Sequence, residues 1–256
     1  MCGLFGYIGD KSIALRKVFD ILAELEIAKL PQESSPVGGD GAGLALINHR
    51  TEIIKVGRKD KSPVSCLRQK VLKSQSSAIF GHVRRASQQF KDRVAFAECT
   101  QPYLANCTAG TEVVCIHNGF FQNYQGIFES LQKFHALQSP KVELVDSEVI
   151  PHYFEELLSR EDCNSAVDHL FQTLQGPGNA LSLWVKKDKK RWLILLYKGS
   201  ARGLYVWRNP AGNIFFASRR EPILDYMTNF LKKNLFSLTI SIEPKTHASL
   251  QEIYTF

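Results

Sequence analysis

Apolar residues in this chain come in short bursts separated by turns, and most bursts are too short for a helix. The first burst, residues 2–8 (Cys-Gly-Leu-Phe-Gly-Tyr-Ile), predicts a buried strand. Behind it Ala14, Val18, Ile21, Leu22, Leu25 and Ala28 recur at helical spacing, which predicts a helix capped by Asp10 or Ser12 and stopped by Pro31. A polar segment at residues 32–36 leads into Gly38-Gly39-Asp40-Gly41-Ala42-Gly43. A glycine run before a helix could cradle phosphate, but residues 44–47 continue as a strand, so a tight loop beside the core is the better reading. Residues 51–56 complete a hairpin, and residues 77–81 and 112–116 are further strands.

Downstream, the pattern predicts a helix over residues 127–137, a short strand over 141–145, and a helix to about residue 158. Asp146-Ser147 stands where the cap of that last helix belongs, with Pro151 early in it. The final third alternates apolar runs at residues 181–185, 192–197, 204–207 and 214–217, which read as a meander of antiparallel strands. Glu221-Pro222 opens a helix to about residue 231, and residues 236–242 are one more strand. With no repeat, low-complexity tract or linker, the expectation is one domain, residues 1–256, of α+β class: antiparallel sheets covered by helices.

Composition narrows the choice of function. The chain has 256 residues, 44% of them hydrophobic, enough for one sizeable core or two small ones. No run approaches a membrane span, and the opening has no targeting pattern, so a cytoplasmic location is expected. The six cysteines show neither a C-x-x-C pair nor regular spacing, so reduced thiols are expected, with no disulfide frame, zinc site or other metal. The net charge of +7 raises nucleic acid as a partner, but the densest basic cluster, residues 186–191, sits between two apolar strands and reads as a solvated turn.

Chemistry-bearing residues lie at strand ends. If the initiator Met1 is removed, as is usual before a residue as small as Cys, Cys2 carries a thiol beside a free α-amine. An ordinary thiol, with a pKa of about 8.5, is only slightly ionised at neutral pH, and an adjacent amine can serve as its base. The bland reading of Cys2 is a small buried hydrophobe. Arg84 and Arg85 leave an apolar strand together, so one faces inward and needs an anion: a structural ion pair or a carboxylate clamp. His117-Asn118-Gly119 ends another strand, either as a plain turn or with the Asn amide and the next N–H aimed at an oxyanion.

Taken together and in order, several stretches resemble the glutaminase domain of class II (N-terminal nucleophile) glutamine amidotransferases. They are Met1-Cys2-Gly3-Leu4-Phe5-Gly6, Asp40-Gly41-Ala42-Gly43, Gly81-His82-Val83-Arg84-Arg85-Ala86-Ser87, Gln101-Pro102-Tyr103, His117-Asn118-Gly119, Val145-Asp146-Ser147-Glu148, Gly199-Ser200 and Ala217-Ser218. The likeness covers roughly residues 1–225 and is nearest to the glutaminase half of glucosamine-6-phosphate synthases, with phosphoribosyl-pyrophosphate amidotransferases next. It implies an αββα four-layer sandwich with Cys2 on a central strand, no cofactor, and L-glutamine as substrate. It also implies roles. Cys2 attacks the side-chain amide, Asn118 and the Gly119 N–H hold the oxyanion, Arg84 clamps the α-carboxylate, Asp146 holds the α-ammonium, and Ser87 lines the pocket in place of a family Thr.

The departures are informative. Arg85 replaces the family's Trp after the clamp, Gln88 replaces a nearby His, and Gly38-Gly39 replace an Arg-Gly before the loop Asp. No synthase domain is expected within the chain, so ammonia is expected to pass to a separate synthase or acceptor subunit. The partner is expected to dock over the rim bearing residues 38–43 and 85–90, where the basic residues Arg85, Lys91 and Arg93 suggest an acidic contact surface on it. Two alternatives stand beside this reading: an N-terminal-Cys hydrolase acting on another amide, and a non-catalytic regulatory subunit of the same fold. The acceptor and the oligomeric state are not legible.

Overall fold

The computed structural model describes residues 2–29, 33–72 and 75–256. In chain order the elements are β1 (Gly3–Ala14), α1 (Leu15–Ile27), β2 (Gly41–Ile47), β3 (Thr51–Gly57), α2 (Pro63–Lys70), β4 (Gln75–Arg84), β5 (Tyr103–Ala105) and β6 (Thr111–Asn118). They continue as α3 (Tyr124–Leu131), α4 (Asp146–Arg160), α5 (Cys163–Thr173), β7 (Gly178–Lys187), β8 (Lys190–Gly199), β9 (Leu204–Arg208), β10 (Ile214–Ala217), α6 (Glu221–Lys233), β11 (Ser237–Ile242) and β12 (Ala248–Thr255). These elements form two compact units, residues 1–102 with 203–243, and residues 103–202 with 244–256.

The first unit is built on a seven-stranded antiparallel sheet in the order β11-β9-β10-β1-β4-β2-β3, so β1 is its middle strand. Alternate residues carry its helix-facing surface: Phe5 and Tyr7, Leu44 and Leu46, Ile79 and Val83, Phe215 and Ala217. This is the period of two that a strand imposes. Val18, Ile21, Leu22 and Leu25 of α1, Leu67 of α2, and Ile223 and Met227 of α6 join them in one core. The glycine run at residues 38–43 is the tight loop expected, not a phosphate cradle. A Cβ at Gly43 would stand 2.0 Å from the Gln101 carbonyl oxygen, so only glycine permits this approach of two backbones.

The second unit holds a five-stranded antiparallel sheet, β12-β8-β7-β6-β5. Val113 and Cys115, Leu181 and Leu183, and Ile194 and Leu196 pack with Val149, Phe154 and Leu157 of α4 and Val167 and Leu170 of α5. The fold class is therefore α+β, with two antiparallel sheets and helices on each. Among the described residues no helix is long and apolar enough to cross a membrane.

Several expectations need correction. The final strands are not one meander, because β7 and β8 belong to one sheet while β9 and β10 belong to the other. Neither Asp10 nor Ser12 caps α1; both lie in β1, across an irregularity between Ile8 and Ile13, and Ala14 is the cap without a side-chain bond. The expected stop at Pro31 lies outside the described residues. Residues 141–145 are not a strand: a short 3-10 turn, Ser139–Lys141, runs through a turn at Val142 into irregular chain. The helix placed at residues 127–137 is α3, which begins and ends earlier.

Candidate active site

The first unit positions Cys2 through pairing alone. Gly3 faces Val83 across the β1–β4 ladder, which sets the preceding residue against the exit of β4. There the Arg85 N–H donates to Cys2 Sγ at 3.4 Å, and the thiol reaches the Arg85 carbonyl oxygen at 3.5 Å. Ser218 fastens the same strand from the other side: the Leu4 N–H donates to Ser218 Oγ at 3.1 Å, and the Ser218 N–H to the Leu4 carbonyl at 3.0 Å. Met1 lies outside the described residues.

Arg84 and Arg85 divide as a strand requires. Arg84 is buried, 5% exposed, and its Nη1 donates to the Arg93 carbonyl at 3.4 Å. Among the described residues no carboxylate pairs with it. A buried guanidinium left without an anion is costly. Arg85 has one instead: its Nη1 lies 3.4 Å from Asp40 Oδ1, and its Nε donates to the Pro36 carbonyl at 2.9 Å. Asp40, fully buried, also receives Lys91 Nζ at 3.1 Å, Arg58 at 3.5 Å and the Ala86 N–H at 3.0 Å. Arg85 and Lys91 are therefore engaged with Asp40. Ser87 is exposed and begins a 3-10 turn, Gln88–Arg93.

The second unit carries the other set. Asn118, 3% exposed, closes β6. A Cβ on Gly119 would meet Asn179 Oδ1 and His117 Nε2 at 2.5 Å and the Gly178 carbonyl at 2.7 Å, so the backbone can lie here only as glycine. His117 links three elements. Its Nδ1 contacts Ser147 Oγ at 2.9 Å and its Nε2 contacts Asn179 Oδ1 at 2.8 Å. Burial lowers its pKa, against the pull of Asp146, so the ring is a neutral spacer behind Asn118 and Gly119.

Asp146 is the first residue of α4 and not its cap: Val145 is the cap, with no side-chain bond. The Asp146 carboxylate accepts the Phe121 N–H at 2.8 Å and the Ser147 hydroxyl at 3.3 Å. It is 5% exposed and has no cation paired with it among the described residues, at a helix start where an anion is favoured. Sequence reasoning did not single out Asp40, His117 or Ser147 as working residues. The signal for the first was the one acid in a glycine run, and for the other two their adjacency to Asn118 and Asp146.

Cys2 and Arg84 are thus brought together in one unit, and Asn118, Gly119 and Asp146 in the other. No family model matches the chain. Glutamine–fructose-6-phosphate aminotransferase (isomerizing) of Helicobacter pylori strain J99 is 31% identical over 237 residues, covering 90% of this chain and 34% of that protein. The solved allosteric regulatory enzyme of purine biosynthesis superposes with a TM-score of 0.65 at 17% identity, over 95% of this chain and 45% of that one. Glutamine phosphoribosylpyrophosphate amidotransferase of B. subtilis, complexed with ADP and GMP, gives 0.62 at 17% identity, over 98% and 49%. The chain belongs to the class II glutamine amidotransferases, enzymes of the N-terminal nucleophile fold. It spans about a third of the Helicobacter relative and about half of each solved chain.

Proposed function

We propose that this domain hydrolyses the side-chain amide of L-glutamine to glutamate and ammonia through a thioester on Cys2, and that the ammonia passes to a separate synthase-type acceptor subunit. Cys2, with Met1 removed, attacks the amide carbon while its own α-amine takes the thiol proton. The tetrahedral oxyanion is met by the Asn118 side-chain amide and the Gly119 N–H. Expulsion of ammonia leaves the acyl group on sulfur, and water then releases glutamate and restores the thiol. Arg84 binds the substrate α-carboxylate, Asp146 its α-ammonium, and Ser87 the rim of the pocket.

One observation carries the substrate assignment: the buried Arg84, one residue from the backbone that holds Cys2 Sγ, has no carboxylate partner among the described residues. A guanidinium forks onto a carboxylate, which an amino-acid substrate provides. Asp146, which has no cation paired with it among the described residues, supplies the opposite charge. The experiment compares L-glutamine with its α-amide and its N-acetyl derivative as substrates, in wild-type protein and in Arg84→Lys. Strong preference for free L-glutamine, with KM raised in Arg84→Lys and thermal stability unchanged, is expected. Equal turnover of the blocked compounds would leave a hydrolase of other amides as the better account. Intact mass checks the amine-as-base step, since a fully active preparation retaining Met1 would rule it out.

A further inference from the structure

Away from these residues, four side chains of the second unit converge: Cys107 beyond β5, His135 beyond α3, and His152 and Glu155 on α4. Their ligand-capable atoms all lie within 4.8 Å of one another. We propose that Cys107, His135, His152 and Glu155 form a structural site for a divalent zinc-class ion. The spacing fits such an ion. Ligands about 2.0–2.3 Å from zinc in a tetrahedron stand roughly 3.3–3.8 Å apart. Cys107 Sγ lies 3.7 Å from His152 Nδ1, and His135 Nδ1 lies 3.2 Å from Glu155 Oε2. The wider pairs close as the side chains turn toward a common centre.

The groups behind the four ligands are arranged as a metal requires. His135 Nε2 bonds Glu156 Oε2 at 3.2 Å, the carboxylate–histidine pairing that leaves Nδ1 with its lone pair toward the cluster. The Thr108 N–H donates to Glu155 Oε1 at 2.6 Å, fixing that carboxylate with Oε2 left over. The Ala136 N–H donates to Cys107 Sγ at 3.3 Å, which fixes the sulfur beside the cluster. His135 Nδ1 and Glu155 Oε2 are buried and form a 3.2 Å ion-pair contact with each other, but neither makes a well-aligned hydrogen bond among the described residues. Two buried polar atoms left this way, both aimed into the same cluster, call for a cation between them. A set of one sulfur, two imidazole nitrogens and one carboxylate oxygen suits zinc over magnesium or calcium. Four protein ligands leave no position for water, so the ion would tie the exits of β5 and α3 to α4 and take no part in amide chemistry. No sequence pattern announces it, because its ligands come from three separated stretches and show no C-x-x-C or H-x-x-H spacing.

The test uses the full chain, purified without a histidine tag, stripped with chelator and then dialysed against zinc or cobalt(II). We expect about one equivalent of zinc per chain, and with cobalt the intense visible bands of a tetrahedral site together with a thiolate charge-transfer band in the near ultraviolet. Cys107→Ser, at an exposed position, should lose the charge-transfer band, and His152→Gln should lose stoichiometric binding. Glu156→Ala should weaken affinity about 10–100-fold. Zinc should raise the melting temperature of wild-type protein and not that of Cys107→Ser. Zinc uptake equal in wild type and Cys107→Ser, or a cobalt spectrum without the thiolate band, would overturn the proposal and leave a His135–Glu155–Glu156 ion-pair network in its place. Glutaminase activity plays no part in the readout, so the two proposals fail independently.

Discussion

Asn118 and Gly119 are adjacent, yet the physics at each predicts a different failure. Asn118→Ala takes one donor from a developing negative charge and should lower kcat about 10²–10³-fold, roughly 3–4 kcal/mol, with little change in KM. Initial-rate kinetics on glutamine check this, and a near wild-type kcat would make Asn118 a turn residue. Gly119→Ala forces a Cβ to within 2.7 Å of the Gly178 carbonyl, which is backbone and cannot step aside. A loss of about 1–3 kcal/mol in folding stability is expected, read by denaturant unfolding. The second variant should therefore fail in stability as well as in rate.

At the scale of elements, Asp40 is the point where the loop before β2 meets the exit of β4, since Arg85, Lys91 and the Ala86 N–H all converge on it. Asp40→Ala leaves the Ala86 N–H without its acceptor and Arg85 without its counter-charge. After allowing for the partial exposure of Arg85 and Lys91, the cost should be about 2–3 kcal/mol; Asp40→Asn, which still accepts from Ala86, should cost less. A drop in melting temperature that is the same for both variants would contradict this ordering. The elements that sequence made legible are those whose own pattern decides them: β1, the β2–β3 hairpin, β6, the β7–β8 hairpin and α6. Those it hid depend on distant partners. β12 buries only Tyr254 fully and is held by its ladder to β8, so no apolar alternation announces it. α5 was marked by Asp162, whose carboxylate caps Asn164 and Ser165, but its inward face is only Ala166, Val167 and Leu170. The split of β7 to β10 between two sheets is a matter of pairing, on which local hydrophobicity is silent. For the candidate site the residue types were legible, whereas the engagement of Arg85 and Lys91 by Asp40 needed three dimensions.

For the whole molecule, the proposed acceptor predicts a specific behaviour. Glutaminase activity of the purified chain should be weak and should rise substantially when a synthase-type partner is present, as measured across size-exclusion fractions of a native lysate with the purified chain as reference. Equal specific activity in every fraction, with the chain always running alone, would favour a self-sufficient glutaminase. The middle position of β1 has a further consequence, for the order of synthesis. One of its neighbours, β4, follows it closely, but the other, β10, is translated only after the whole of residues 103–202. At about 5–20 residues per second, a growing chain holds an open apolar edge on β1 for several seconds before Ile214–Ala217 can close it. Nascent chains arrested before β10 should accordingly bind holdase chaperones and be cut readily by protease, and chains arrested after β11 should resist. Equal protease sensitivity of the two would show that β1 does not wait for its second partner.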